Sequence, residues 1–279
     1  MASRITSLQN PLVKQIRSLS QRKYREREGL FFAEGIRAVE EAASAKARVT
    51  HVVFSPERLR SKRAMGTIRA LEGRGAEVVE VSDRVFDALS DREEGQGIGV
   101  VVHIPERTLE DIPTGPEALV AVLVEPRDPG NIGSIVRAAD CVGASGVVVA
   151  GTSADLYDPK CVRASVGSLF ATPAVTVPDL ETCLAWARRK LLRCVATSAR
   201  AERSCFAWDM AGPLALVLGP ERGGLDEEAL RRCDAVVRIP MRGRASSLNL
   251  ASAAAVLMYE AVRQREARPH PPPPNLSLP

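Results

Sequence analysis

Hydrophobic positions in the first hundred residues alternate between amphipathic stretches and short apolar runs. Residues 8–24 carry leucine and isoleucine at helical spacing, which predicts a single helix. Later patterns predict strands at 49–54, 77–81 and 98–103 and helices at 57–71 and 84–89. Three prolines and one glycine then fall within residues 104–117, which indicates a linker.

A second alternation begins near residue 118. Residues 119–124 form an unbroken apolar run, which is the pattern of a strand covered on both faces. Apolar spacing predicts a helix over 131–142, whereas residues 151–179 show no regular pattern. Further strands are predicted at 146–150, 192–197, 214–218 and 235–239, and helices at 180–190, 226–231 and 248–265. Strands that alternate with helices predict an α/β fold on a parallel sheet.

These patterns predict four segments. We expect a smaller α/β unit over 1–103, the linker over 104–117, and a larger α/β unit over 118–265. Residues 266–279 are predicted to be a disordered tail, because six prolines fall within the last eleven residues of the chain.

The distribution of charge along the chain is more informative than the net charge. The whole chain carries +4, but residues 1–27 hold seven basic side chains against one acidic one. A basic segment at one end is typical of a polyanion-binding surface, although a solvated helix face would give the same pattern. The RNA-binding candidates in this segment are Lys14, Arg17, Arg22, Lys23 and Arg25.

Several classes of protein are excluded by what the sequence lacks. The six cysteines form no C-x-x-C pair and no histidine lies between them, so neither a metal site nor a disulfide framework is expected. The N-terminus has no apolar signal region, and the uncharged run 245–259 is shorter than the ~18–20 residues of a membrane span. We therefore expect a soluble, cytoplasmic protein with no membrane partner.

Common nucleotide and hydrolase chemistries are also disfavoured. No G-K-[ST] sequence occurs, and the glycines of 95–99 precede a strand rather than follow one, so neither an ATP nor an NAD loop is expected. No histidine lies within 118–265, which excludes a histidine base or a Ser-His-Asp triad within the larger unit.

Three segments of the larger unit combine a strand end, a Pro/Gly or basic loop and a following helix. They are residues 125–139, 214–225 and 239–260. Ligands bind at the carboxyl ends of parallel strands, which is where such loops lie. Asn131 is expected to cap one helix, and Ser246 or Ser247 another. Each segment alone also fits an ordinary capped strand-to-helix turn.

Together, the three segments resemble the SpoU/TrmH class of RNA ribose 2′-O-methyltransferases in the SPOUT superfamily. The matching motifs are Asn131-x-Gly133-x-x-x-Arg137, Gly219-x-Glu221-x-x-Gly224-Leu225, and Ile239-Pro-Met241 followed by Ser247-Leu-Asn249. The N-terminal opening is similar to a substrate-binding domain of the ribosomal-protein L30e fold, in Ile5-Thr-Ser, Asn10-Pro-Leu-Val-Lys14 and Phe32-Ala-Glu-Gly35.

The resemblance implies a fold, a cofactor and an assembly. The larger unit would be a SPOUT parallel sheet with a deep trefoil knot, preceded by an L30e-like α/β domain that binds the RNA substrate. The protein would bind S-adenosylmethionine and form a homodimer. By match, the cofactor would contact Thr197, Gly219, Ile239, Met241 and Leu248.

The resemblance also implies catalytic residues. Arg137 would act with Asn131, Glu221, Ser247 and Asn249 in methyl transfer to a ribose 2′-hydroxyl. Because arginine has a pKa above ~12, charge stabilisation by Arg137 is favoured over a role as base, although the sequence leaves both open.

The substrate could be rRNA or tRNA. The resemblance implies rRNA, most of all 23S rRNA, rather than tRNA, because the tRNA-specific relatives typically carry short helical extensions in place of a folded N-terminal domain. A non-catalytic member of the same fold that binds RNA or the ribosome is the further alternative.

Overall fold

The computed structural model describes residues 4–90 and 95–267. The helices are α1 (Pro11–Ser18), α2 (Arg22–Glu28), α3 (Ile36–Ser44), α4 (Lys62–Glu72), α5 (Asp83–Leu89), α6 (Pro129–Cys141), α7 (Pro159–Ser165), α8 (Ser168–Ala171), α9 (Leu180–Arg189), α10 (Glu227–Arg231) and α11 (Leu250–Glu266). The strands are β1 (Leu30–Glu34), β2 (Val49–Phe54), β3 (Glu77–Glu80), β4 (Ile98–His103), β5 (Leu119–Val124), β6 (Gly146–Ala150), β7 (Ala174–Val177), β8 (Arg193–Thr197), β9 (Arg203–Ser204), β10 (Leu214–Leu218) and β11 (Ala235–Arg238).

The first four strands form a mixed sheet in the order β1-β4-β2-β3. β4 runs antiparallel to both of its neighbours, and β2 and β3 are parallel. Helices α1 and α5 cover one face of this sheet, where Val13, Ile16 and Phe86 pack against Val53 and Val101. Helices α3 and α4 cover the other face. This sheet is therefore a small α/β layer with apolar contacts on both sides.

The remaining seven strands form a parallel sheet in the order β7-β6-β5-β10-β8-β11-β9. Alternate residues of β5 face opposite layers: Leu119, Ala121 and Leu123 pack with α6 and α11, whereas Val120 and Val122 pack with α9. All five are essentially inaccessible to solvent. The predicted α/β fold on a parallel sheet is confirmed.

One apolar cluster connects the two sheets. The ring of Phe31 on β1 lies 4.9 Å from that of Tyr157 and 5.9 Å from that of Phe170 on α8, centroid to centroid. The same cluster includes residues of α3, α6 and α11. The two layers therefore share a core rather than being joined only by the segment between β4 and β5.

The prediction of a single helix over 8–24 is wrong. Helix α1 ends at Ser18, and α2 begins only at Arg22. The Ser18 and Ser20 hydroxyls donate to the carbonyl oxygens of Gln15 and Arg17, in competition with the helical amides. Two short helices therefore replace one long helix.

Several elements have no counterpart in the sequence prediction. They are β1, α3, α7, α8, β7 and β9, and three of them lie within the stretch 151–179 that was expected to be irregular. Helices of seven and four residues, α7 and α8, are too short to show a helical period. Helix α4 begins at Lys62 rather than at 57, because the Ser61 hydroxyl accepts from the Ala64 amide and caps it there.

The remaining predictions concern the C-terminal tail, membrane-spanning helices and metal sites. The tail expected over 266–279 lies, from residue 268 onward, outside the described residues. Within residues 4–90 and 95–267, no helix combines the length and apolar character that a bilayer crossing requires. The same ranges contain no cluster of three or more His, Cys, Asp or Glu side chains that could hold a metal ion.

Candidate active site

The three motif segments follow β5, β10 and β11, whose carboxyl ends lie at the same edge of the parallel sheet. From β5 the chain proceeds to β6 and β7 on one side, while β10, β8 and β11 lie on the other. Open α/β sheets bind ligands in the crevice at such a reversal of strand order. The β5–β10 boundary therefore marks a candidate binding crevice, with the first two segments on its two sides.

A chain of hydrogen bonds joins one residue of each segment. The Asn131 Nδ2 donates to Glu221 Oε1 at 2.9 Å, and the Asn249 Nδ2 donates to Asn131 Oδ1 at 3.0 Å. Asn131 is only 9% exposed, so both ends of its amide are used within the protein. These contacts span separations of 90 and 118 residues, so the three segments form one structural unit, which we call the motif cluster (Asn131, Glu221, Asn249).

The electrostatics of Glu221 follow from these contacts. Burial by itself raises the pKa of this carboxyl, but hydrogen bonds from the Asn131 side chain and from backbone amides, including that of Arg127, lower it and prevail. The net pKa of Glu221 is therefore lowered. Glu221 is ionised at neutral pH and acts only as an acceptor, which fixes the orientation of the Asn131 amide.

The capping predictions are wrong in both helices. Asp128, not Asn131, caps α6: its Oδ1 accepts from the Gly130 amide, and Pro129 occupies the first turn. Asn249, not Ser246 or Ser247, caps α11, because its Oδ1 accepts from the amides of Ala251 and Ser252. Asn131 is thereby free to turn its side chain toward the second segment, and Asn249 both caps a helix and joins the motif cluster.

Gly133 has a packing role that sequence reasoning missed. A Cβ at this position would lie 2.2 Å from the Cys161 carbonyl oxygen and 2.8 Å from the Ala164 Cβ. The backbone of α6 at Gly133 therefore packs directly against the Cys161 carbonyl and the Ala164 side chain of α7. Only glycine, which has no Cβ, permits so close an approach. The glycine of the first motif sets how closely α7 approaches the helix that carries Asn131 and Arg137.

Arg137 lies apart from the motif cluster. It is exposed, and its guanidinium makes no hydrogen bond or ion pair with any residue that the structure describes. Six positions along an α-helix separate it from Asn131 by roughly 9 Å and by roughly 240° around the axis. The structure thus brings together Asn131, Glu221 and Asn249, but places Arg137 on a different face of α6.

The predicted cofactor residues follow three adjacent strands. Thr197 ends β8, Gly219 follows β10 and Ile239 follows β11, in the spatial order β10-β8-β11. Met241 and Leu248 are 37% and 39% exposed, on a loop that is exposed throughout residues 241–249. Ser247 lies on the same loop, and no partner of its hydroxyl is found among residues 4–90 and 95–267.

Of the five predicted RNA-binding residues, Lys14, Arg17, Arg22 and Lys23 are exposed. Arg25 is not: it is 1% exposed, so the prediction that it grips RNA is wrong. Its guanidinium bonds the Asp155 carboxylate at 2.6 Å and 2.9 Å, and it donates to the carbonyls of Leu19 and Ser20.

This ion pair is a structural joint between α2 and the loop before α7. A second carboxylate, that of Asp158, lies 3.8 Å from Arg25 and caps α7. The Asp158-Pro159 pair carries the cap-and-proline signal that also starts α6 at Asp128-Pro129, so the sequence contained the means to locate α7. Nothing in the sequence indicated that Arg25 is buried.

Comparisons with known proteins agree with this architecture. The family model "SpoU rRNA Methylase family" matches residues 118–259, and "MRM3-like substrate binding domain" matches residues 10–99. A curated "23S rRNA (uridine(2479)-2′-O)-methyltransferase" of Streptomyces viridochromogenes is 38% identical over 95% of this chain and 93% of its own length. The "23S rRNA (guanosine(2553)-2′-O)-methyltransferase" of Bacillus subtilis is 30% identical over 91% of this chain and 97% of its own.

A solved structure is similar over nearly the whole chain. The AdoMet-bound rRNA methyltransferase from Sinorhizobium meliloti superposes with a TM-score of 0.85 at 33% identity, covering 94% of this chain and 97% of that one. The resemblance inferred from the three motifs is therefore confirmed, and the chain belongs to the SpoU rRNA methylase family.

Proposed function

We propose that this protein transfers a methyl group from S-adenosylmethionine to a ribose 2′-hydroxyl of 23S rRNA. The observation that carries the proposal is the motif cluster, in which Glu221, Asn131 and Asn249 tie three family motifs into one edge of the sheet. The similar proteins named as 23S rRNA 2′-O-methyltransferases, and the AdoMet-bound neighbour, support the substrate and the cofactor.

The chemistry of the loops fits this cofactor. The backbone after β8, β10 and β11, at Thr197, Gly219 and Ile239, offers amides and carbonyls to an adenosine, and Met241 and Leu248 offer apolar surface. Glu221 is the ionised carboxylate of the second loop, beside the exposed Arg222, and a carboxylate favours a cationic ligand over a phosphate. When bound, the cofactor supplies the electrophilic methyl group on its sulfonium.

The chain's own residues would bind, orient and stabilise the acceptor. The motif cluster holds the loops after β5 and β10 and the start of α11 in one arrangement. Ser247, two residues before Asn249 on the exposed loop, would be a further contact for the ribose. Arg137 keeps its guanidinium free and exposed, so it can hold a phosphate and the developing alkoxide of the 2′-oxygen. In this scheme Arg137 stabilises charge and does not remove the proton.

We infer that the protein acts as a homodimer. Arg137 lies on a different face of α6 from the motif cluster, so one chain alone does not surround the acceptor. Among the described residues, Met241, Leu248 and Tyr259 expose 37–54% of large apolar side chains on the loop before α11 and on α11 itself. A second copy that covers this surface would bring Arg137 of one chain toward the loops of the other.

The resemblance further suggests a deep trefoil knot between β8 and α11. The end of α11 is anchored to the sheet, because Arg265 donates to the carbonyl oxygens of Glu117, Ala118 and Gly212, which precede β5 and β10. We assign residues 1–103 to substrate binding, 104–117 to a linker and 118–265 to methyl transfer. Exposed Lys14, Arg17, Arg22 and Lys23 would contact the RNA backbone, and a cytoplasmic location follows from the ribosomal substrate.

Transfer of labelled methyl groups tests the proposal against its alternatives. Purified protein with methyl-labelled S-adenosylmethionine is incubated with rRNA and, separately, tRNA from cells that lack the gene. We expect label in 23S rRNA, and a 10²–10³-fold slower rate for Arg137→Ala, by analogy with the loss of one oxyanion donor. Label in tRNA alone would favour the tRNA alternative, and no transfer despite cofactor binding would favour a non-catalytic member of the fold.

A lysine at position 137 separates the two roles of the arginine. Lysine keeps the positive charge, but it lacks the paired N–H donors of the guanidinium group and it deprotonates more readily. Charge stabilisation predicts partial activity of Arg137→Lys that changes little with pH. A steep rise toward the pKa of lysine would instead assign position 137 as the base.

A further inference from the structure

A cleft of about 610 Å³ lies where the two α/β layers meet, away from the motif cluster. Its walls come from the α3–β2 connection (residues 45–48), from the end of β4 and the segment after it (residues 102–107), and from Tyr157 and α8. Arg107 in this wall donates to the carbonyl oxygen of Thr172, just before β7 begins. This contact lies at the amino edge of the parallel sheet, whereas the motif cluster lies at the carboxyl edge.

The rim of the cleft is positively charged. Lys46, Arg48 and Arg107 line it, and no ion pair joins any of the three to a carboxylate in the part of the chain that the structure describes. The charge of Arg107 does reach Asp111, whose pKa it helps to lower. Glu106 is the carboxylate among the lining residues that the structure describes. Burial lowers the pKa of the lining His103, and the charge of Arg48 lowers it further, so the imidazole is neutral at pH 7. Three cationic side chains around one opening favour a phosphate, and the guanidinium groups of Arg48 and Arg107 suit it best.

The floor of the cleft is apolar and aromatic. Phe31 lies between the rings of Tyr157 and Phe170, at 4.9 Å and 5.9 Å, and Leu169 lies beside them. Burial raises the pKa of Tyr157 to about 12, so its hydroxyl stays protonated. This hydroxyl has no hydrogen-bond partner among the described residues, and it is therefore available to the edge of a bound ring.

We propose that this cleft binds a nucleotide, with the phosphate on Arg48, Arg107 and Lys46 and the base on the floor beside Tyr157. The volume lies within the ~300–1,000 Å³ range of small-molecule sites. The same chemistry could come from an unpaired nucleotide of the RNA substrate or from a free mononucleotide. The RNA source rests on the proposed function, while the free nucleotide does not.

Binding to two probes tests the proposal and separates the sources. The probes are a single-stranded RNA dodecamer carrying one 4-thiouridine and the mononucleotide UMP, measured by fluorescence anisotropy and by calorimetry without S-adenosylmethionine. The variant is Arg48→Ala, because Arg48 is exposed and its side chain makes no hydrogen bond or ion pair with the described residues. The matched control is Arg84→Ala, which removes an exposed, unpaired arginine from α5 of the same layer.

We expect Arg48→Ala to weaken binding of at least one probe about tenfold and Arg84→Ala to leave it unchanged. Loss of RNA affinity, with a salt slope flatter by about 0.7, identifies a nucleotide of the RNA. Loss of UMP affinity alone identifies a free nucleotide. Photocrosslinking of the dodecamer should label the peptide that contains Tyr157 if RNA is the source.

Two results would overturn the proposal: equal affinity of wild type and Arg48→Ala for both probes, or equal losses in Arg48→Ala and Arg84→Ala. Methyl transfer to rRNA by the wild-type protein is measured in parallel. If transfer is retained while both probes are insensitive to Arg48, the cleft proposal fails and the proposed function stands.

Discussion

The close crossing of α6 and α7 gives the most quantitative prediction, at Gly133. An alanine Cβ would lie 2.2 Å from the Cys161 carbonyl oxygen, whereas real Cβ atoms essentially never approach within 3.0 Å, so α7 must retreat by roughly 0.8 Å. Overpacking of this kind costs about 3 kcal/mol at the upper end of its range. The higher helix propensity of alanine offsets ~0.5–1 kcal/mol of this destabilisation. The net destabilisation of Gly133→Ala is therefore about 2 kcal/mol.

Gly66 offers the matched control for this substitution. It lies in the interior of α4, and a Cβ there would meet nothing within 4 Å. Gly66→Ala should therefore stabilise the protein by ~0.5–1 kcal/mol through helix propensity alone.

Denaturant and thermal unfolding measure both variants. We expect Gly133→Ala to lower Tm by roughly 4–8 °C and Gly66→Ala to raise it slightly. Methyl transfer by Gly133→Ala should fall at temperatures where the variant is still folded, since the overlap must be relieved by separating α7 from α6, the helix that carries Asn131 and Arg137. A Gly133→Ala protein as stable as wild type would refute the packing explanation of this motif glycine.

Three further outcomes follow from individual contacts. Asp155→Asn should destabilise the fold by about 3 kcal/mol in urea unfolding, because it removes the carboxylate paired with a guanidinium that is 1% exposed. Arg25 then keeps two backbone carbonyl acceptors, and its nearest remaining carboxylate is 3.8 Å away. A loss below about 0.5 kcal/mol would contradict a buried ion pair. Glu221→Ala should weaken cofactor affinity measured by calorimetry. Because the pKa of Glu221 is lowered, its carboxylate stays charged between pH 7 and 5, and its contribution to cofactor affinity should be constant over that range. A difference in cofactor affinity between wild type and Glu221→Ala that already shrinks between pH 7 and 5 would argue against this role. The double variant Lys14→Ala, Arg17→Ala should flatten the slope of log RNA affinity against log salt by roughly 1.4–1.8. An unchanged slope would mean that these two side chains face solvent and do not contact RNA phosphates.

The central strands were predictable from the sequence because they are buried on both faces. The structure places β4, β5, β6 and β10 where the apolar runs predicted them. The runs of β6 and β10 are bounded on both sides by serine, proline or glycine. The break between α1 and α2 was not predictable from periodicity, because Leu19 continues the apolar pattern across it. Two serine hydroxyls and the buried Arg25 guanidinium bond the carbonyl oxygens at this break, and a hydropathy pattern does not record such contacts.

The candidate site was only partly accessible to sequence reasoning. The motif resemblance named Asn131, Glu221 and Asn249, but their contacts span 90 and 118 residues and depend on which strands are adjacent. Capping rules offered Asn131 as a cap, whereas Asp128 three residues earlier takes that role. For Arg25, sequence reasoning predicted a function that the structure does not support. Its charge and its basic segment suggested RNA binding, but it is buried against a carboxylate 130 residues away in the sequence.

The central claim is methylation of a ribose 2′-oxygen, and the chemistry of the product tests it directly. A phosphodiester next to a methylated 2′-oxygen resists alkaline hydrolysis, because the hydroxyl that attacks the phosphorus is gone. Methyl-labelled 23S rRNA from the reaction is therefore hydrolysed in alkali and analysed by mass spectrometry. We predict that the label is recovered in an alkali-stable dinucleotide, and that none is recovered with Arg137→Ala at the same reaction time. Label in mononucleotides would place the methyl group on a base and contradict the account.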